Sequence, residues 1–232
     1  LLLCKLFPPS QFANRKSIMK IWDLPTRLYH WLQAALFIGL AASGFNGQGP
    51  HVYLGLALFS LILWRLVWGI VGSDTSRFSQ FIISPKSAWN YFRGKARPKP
   101  GHNPLGAWMV IGMITTLFVQ CMTGLVIAGF FDAIPGSERV ITDAVFDVLC
   151  TVHGIAARML VVFVVLHLVA IIIYKLRSKP LVLAMITGKQ SHSASTDYFR
   201  NGSQLAFSSN RKALLVLIAS VLVTMTIVVI SQ

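Results

Sequence analysis

Five long apolar runs mark the chain, at residues 31–45, 52–71, 108–131, 155–174 and 213–230, with most of the charge confined to the polar stretches between them. A helix rises about 1.5 Å per residue, so roughly 20 apolar residues cross the hydrocarbon of a bilayer. The pattern predicts an all-α chain with five transmembrane helices, at about 28–44, 51–72, 108–131, 152–174 and 213–230. "NGQGP" reads as a tight turn between the first two. The segment 72–107 is expected to carry a short amphipathic piece around 85–92, with Trp89, Tyr91 and Phe92 at headgroup level. The segment 132–150 is expected to hold one short helix, "SERVITDAVFDVLC". The stretch "TGKQSHSASTDYFRNGSQLAFSSNRK" shows no periodicity and reads as a flexible linker. Four units follow: residues 1–18, a four-helix bundle domain at 19–175, a polar linker at 176–212 and a C-terminal helix at 213–232. Residues 1–18 are too short and poorly flanked for a span, and no small-residue cleavage site follows them. "MKIWDLPTRLYHW" reads as a start at Met19, so the preceding residues are expected to be an unstructured extension or to lie upstream of the true start.

Composition sharpens this picture. The chain is 55% hydrophobic and 12% charged, about half the charged fraction of a soluble domain. A net charge of +14 would suggest nucleic acid in a soluble protein, but its distribution decides otherwise. Lys and Arg number five in residues 1–30, none in 46–51, six in 72–107, one in 132–154 and seven in 175–212. Rich and poor segments alternate, as the positive-inside rule requires of a multi-pass protein with its N-terminus on the inside and its C-terminus outside. The lipid bilayer and its anionic headgroups account for the basic loops, and no nucleic acid is needed. Four acids, Asp132, Glu138, Asp143 and Asp147, make the outer loop mildly acidic. Cys4, Cys121 and Cys150 form no CxxC or CxxCH spacing, which argues against structural disulfides and covalently attached haem.

The candidate chemistry lies in four histidines in or at the edge of spans: His30, His51, His153 and His167. An imidazole near hydrocarbon is costly and needs a partner. Taken singly, each serves equally well as a hydrogen-bonded structural residue. Depth pairs them. His30 sits at the inner end of the first helix and His51 at the outer end of the second. On the fourth helix His153 is at the outer end, with His167 about 21 Å deeper by helix rise and within roughly 40° of the same face. His30 thus pairs with His167 on the inner side and His51 with His153 on the outer side. Two opposed imidazoles between helices suit axial ligation of a haem iron from both faces. Zinc needs its ligands gathered at one point. A proton relay stays open, although it would favour carboxylates, and the interiors of the first four helices have none.

Arg65 follows His51 by fourteen residues, the same offset, and so reaches the depth of the inner pair. A haem propionate is one partner for it, and snorkelling to the inner headgroups is the other reading. Arg27, three residues before His30, is a second inner candidate. For Arg158, an ion pair with Asp143 or Asp147 competes with a role at the outer pair. Gly39, Gly55, Gly112 and Gly124 permit close approach of a porphyrin or of a neighbouring helix. His102 and His192 lie in polar segments and read as solvated. The fifth helix, with neither charge nor histidine, reads as a packing or assembly helix.

Taken together, "KIWDLPTRLYHWLQAALFIGLAASG", "HVYLGLALFSLILWRLVWGIVGSDTSRFSQF", "GHNPLGAWMVIGM" and "VHGIAARMLVVFVVLHLVAIIIYKL" resemble the bacterial cytochrome b561 and nickel-hydrogenase cytochrome b family, over about residues 19–190. The resemblance implies a four-helix core holding two haem b groups, with His30, His51, His153 and His167 as ligands. It also implies electron transfer between a quinone pool and a redox partner, such as a c-type cytochrome or a hydrogenase, with the fifth helix similar to hydrogenase-type members. An electron-transfer subunit of a respiratory oxidoreductase is the leading reading, since no flavin, nucleotide or iron–sulfur motif is present. The alternative is a self-contained membrane oxidoreductase reacting with superoxide or quinone at a haem edge, which the acidic outer face disfavours. A haem-free transporter or assembly protein is a third reading.

Overall fold

The computed structural model describes residues 17–81, 89, 93, 104–177, 181–192 and 205–232. In chain order these form β1 (Ser17–Lys20), α1 (Leu24–Asn46), α2 (His51–Val71), α3 (Phe78–Phe81), α4 (Pro104–Ile127), α5 (Ser137–Val140), α6 (Asp143–Leu176), α7 (Leu181–Thr187), β2 (Lys189–His192) and α8 (Asn210–Ile230). Five of them, α1, α2, α4, α6 and α8, are long and apolar enough to cross a membrane.

Capping side chains fix where these helices begin, and hydropathy does not register them. α1 begins at Leu24, four residues before the expected 28, because the Asp23 carboxylate accepts the Thr26 N–H at 2.7 Å and Pro25 stands in the first turn. Both satisfy or remove amide donors that a helix start leaves orphaned. Ser209 caps α8 by accepting from the Lys212 N–H, which moves its start from 213 to Asn210. The largest difference is at α6. The expected short helix "SERVITDAVFDVLC" is split at Ile141, and Thr142 caps a 34-residue helix that runs on through both histidines. At about 1.5 Å per residue α6 is roughly 51 Å long and exceeds the hydrocarbon thickness. α4 runs from 104 to 127, not 108 to 131, and beyond it Phe130 and Phe131 fold back onto the core. The apolarity of 128–131 thus serves packing instead of helix continuation. The predicted turn between α1 and α2 uses Gly47 and Gly49 at φ 65° and 96°, a left-handed region that residues with a Cβ rarely adopt.

α1 packs along α2, α2 meets α4, and α4 lies along α6. The central core is Leu58, Phe59 and Ile62 of α2, Leu117, Cys121 and Leu125 of α4, and Leu160 of α6. α8 lies on the outside of α2, where its helix axis is pinned by polar contacts. Trp64 Nε1 donates to the Ala213 carbonyl at 3.0 Å, Ser60 Oγ donates to Thr224 Oγ1 at 2.8 Å, and Lys212 Nζ donates to the Val71 carbonyl at 2.9 Å. Tyr29, Trp64 and Trp68 stack in series at 5.3 Å spacings beneath Ala213.

The sequence gives no sign of a small layer beyond the ends of α1 and α2. β1 pairs antiparallel with β2, from Ser17 opposite His192 to Lys20 opposite Lys189. α7 packs Ala184 against Ile21 and Trp22. Part of the stretch expected to be a flexible linker is therefore helix and strand, because its partner lies about 170 residues earlier in the chain and no local pattern records the pairing. Of the extension expected at 1–18, residues 1–16 lie outside the described residues and Ser17 and Ile18 belong to β1; most of the amphipathic piece at 85–92, His102 and the side chain of His192 also lie outside them. Trp89 is exposed, with the Arg93 guanidinium 5.0 Å over its ring.

Candidate functional site

The bundle brings the four histidines together as two pairs. His30 is in the second turn of α1, His51 opens α2 directly after the glycine turn, and His153 and His167 lie fourteen residues apart on α6. The ring centroids of His30 and His167 are 6.4 Å apart, and those of His51 and His153 are 6.3 Å apart. Both pairs span from α6 to the α1–α2 side of the bundle. Among the described residues, no group of three or more His, Cys, Asp or Glu side chains gathers into a metal site.

At the His51–His153 pair the hydrogen bonds define which nitrogen carries the proton. Thr123 Oγ1 lies 2.9 Å from His153 Nδ1, and it also donates to the carbonyl of Val119 at 2.9 Å, with that of Gln120 at 3.1 Å. A hydroxyl has one proton and two lone pairs. With its proton directed at the backbone, Thr123 accepts from His153, so Nδ1 bears the hydrogen and Nε2 keeps its lone pair. Consistently, His153 Nε2 faces the Gln120 amide nitrogen at 2.9 Å, where only an acceptor fits. Ser43 repeats the arrangement on the other side. Its Oγ donates to the Leu40 carbonyl at 3.3 Å and lies 3.0 Å from His51 Nδ1. Each imidazole of this pair is thereby held with its hydrogen on Nδ1 and a lone pair on Nε2.

Glycine makes room for both rings. A Cβ on Gly44 would sit 2.9 Å from His51 Cε1, and one on Gly124 would sit 3.1 Å from His153 Cε1. The pair borders a cavity of about 660 Å³ lined also by Gly44, Gly124, Gln120 and Arg158. Arg158 makes no ion pair with Asp143 or Asp147 among the described residues. Gly39 and Gly112 instead face Leu54 and Phe163, as ordinary helix packing requires.

The His30–His167 pair is built differently. His30 packs edge-on against Trp31, and its Nδ1 is buried without a hydrogen-bond partner. His167 has no hydrogen bond among the described residues. Arg65 is 4% exposed, its guanidinium 4.8 Å above the Phe78 ring and its Nη1 buried without a partner. Arg27 lies against Gly188 in the inner layer, with Nε buried and unpartnered. Ser43, Thr123 and Gln120 were invisible as site residues, since they meet their histidines across 8, 30 and 33 positions.

Comparison with known proteins adds three findings. The family described as prokaryotic cytochrome b561 matches residues 21–188. A protein of Bradyrhizobium diazoefficiens named "Probable Ni/Fe-hydrogenase B-type cytochrome subunit" is 26% identical over 211 residues, spanning 73% of this chain and 85% of that protein. No solved structure matches at a significant level.

Proposed function

The chain belongs to the prokaryotic cytochrome b561 family, and from that premise we propose that it holds two b haems, one between His51 and His153 and one between His30 and His167, and passes electrons through them across the membrane. The ring spacing carries this reading. A nitrogen ligand sits about 2 Å from its metal and roughly 1 Å from its own ring centre, so two imidazoles on opposite sides of one ion have centroids about 6 Å apart. Pairs at 6.3 and 6.4 Å suit that arrangement, and neither suits a direct hydrogen-bonded histidine couple. When bound, the haems supply one-electron carriers at two depths of the bundle.

The chain's own residues prepare for them. Ser43 and Thr123 leave the outer Nε2 lone pairs available, and Gly44 and Gly124 let the rings stand upright. Gln120 holds the His153 lone pair in this structure and must release it on ligation. The buried, unpartnered Arg65 Nη1 suits an inner propionate, with Arg27 as a second cation on that side. The electron partners are a quinone and a redox protein outside, of which hydrogenase is favoured by the name of the Bradyrhizobium relative. The alternation of basic loops supports a cytoplasmic N-terminus in a bacterial inner membrane.

The test is the reduced-minus-oxidised spectrum with haem counted per chain, for the parent, His30→Ala and His153→Ala. The expected result is two b haems in the parent and about one in each variant. A parent without haem, or a haem content that neither substitution alters, overturns the reading.

A further inference from the structure

The two histidine pairs share ring spacing and differ in what stands behind the rings. Both outer imidazoles have a hydroxyl at Nδ1, 3.0 Å from Ser43 and 2.9 Å from Thr123. Each hydroxyl sends its own proton to a carbonyl one helical turn back. The inner His30 Nδ1 is buried with no partner, and His167 has none among the described residues. We infer that Ser43 and Thr123 are positioning residues that hold the outer haem at a lower reduction potential than its axial ligands alone would give. The inference rests on the assignment of His51 and His153 as the outer ligands.

The physical chain is short. A hydrogen bond accepted from Nδ1–H pushes electron density into the ring and makes Nε2 a stronger donor. A stronger axial donor favours the ferric over the ferrous iron, and hydrogen bonding around the ligand is one of the protein's levers on haem potential. The carbonyl behind each hydroxyl completes the device. With its proton committed to Leu40 or Val119, the hydroxyl presents only lone pairs to the imidazole. Among the described residues the inner rings have no such acceptor, and the contribution is assigned to the outer site. The same bonds fix the tautomer and ring orientation before any iron is present.

The experiment is a spectroelectrochemical titration of the purified protein and of Ser43→Ala, Thr123→Val and Thr123→Ser. It is run in the full chain and again in the His30→Ala background, where the preceding assignment leaves only the outer haem. At fixed ambient potential, the reduced-to-oxidised ratio of the outer haem is expected to rise several-fold in Ser43→Ala and Thr123→Val, and about tenfold when both are combined. The inner haem should not move, and Thr123→Ser should restore the parent value. Loss of the outer haem in Thr123→Val but not in Thr123→Ser also supports the positioning role, because Thr123→Val removes the hydroxyl and keeps the side-chain volume, whereas Thr123→Ser keeps the hydroxyl and loses the methyl. An unmoved outer haem in variants that keep both haems overturns it. So does haem loss in Thr123→Ser, which would assign Thr123 to packing. The ligand assignment fails separately, if His30→Ala retains two haems.

Discussion

A methyl group decides the fit of each outer ring. Ala in place of Gly at a helical position gains up to about 1 kcal/mol of helix propensity. Overpacking a filled site costs about 1–3 kcal/mol, and neither ring can swing away cheaply, because Thr123 holds His153 and Ser43 holds His51 at Nδ1. Gly44→Ala, at 2.9 Å from the ring, should therefore impair the outer site more than Gly124→Ala at 3.1 Å. Haem per chain should fall from two toward one in Gly44→Ala, with the inner spectral component intact. Full retention of both haems would show that His51 is mobile. At this scale the sequence reveals the histidines and conceals what surrounds them. Depth along the helices was enough to pair His30 with His167 and His51 with His153, because helix rise and angle are regular. Ser43 and Thr123 carry no such signal, being ordinary small polar residues whose role appears only when α1 meets α2 and α4 meets α6. The position of Arg65 could be read as a propionate partner or as snorkelling to the headgroups, and at 4% exposure the side chain is buried within the protein.

Helix ends and helix neighbours obey different signals from helix cores. The five spans were legible because an apolar run of the right length has few other uses, whereas their first turns depended on Asp23, Thr142 and Ser209 as caps. The partner of α8 was not legible at all. Its run "ALLVLIASVLVTMTIVVI" is apolar on every side, and only contact with α2 picks out Ala213, Ser220 and Thr224 as its buried positions. Thr224 is fully buried, sends its proton to the Ser220 carbonyl and accepts from Ser60. A double-mutant cycle of Ser60→Ala and Thr224→Val should give a coupling of about 0.6 kcal/mol, the usual worth of a hydrogen bond between membrane helices. Unfolding in mixed micelles measures it, with haem content as the control. No change in either haem is expected, because the four histidines lie on α1, α2 and α6. A coupling near zero would leave apolar packing, the Trp64 bond to the Ala213 carbonyl and the Lys212 bond to the Val71 carbonyl to hold α8 in place.

Across the whole molecule, α6 is the element that joins the two sites. Its fourteen-residue offset separates the ring-bearing positions by about 21 Å along the helix, and α1 and α2 supply the opposing rings from opposite ends. This arrangement makes a prediction that haem counting cannot test. Vesicles containing the purified protein and trapped ferricyanide, given dithionite outside, should bleach the ferricyanide, since the two proposed haems offer a route for electrons in either orientation of the protein. His30→Ala and His153→Ala each remove one station, and each should reduce the rate to that of protein-free vesicles. Because electrons alone cross, every transfer builds a membrane potential that opposes the next, at about 2.3 kcal/mol per charge for each 100 mV. A potassium ionophore should therefore speed the parent and leave both variants unchanged. If bleaching in the parent is indifferent to the ionophore, a compensating charge travels with the electron, and the polar groups buried at the inner end, Asp23, Tyr29 and Arg65, become the first place to look for its path.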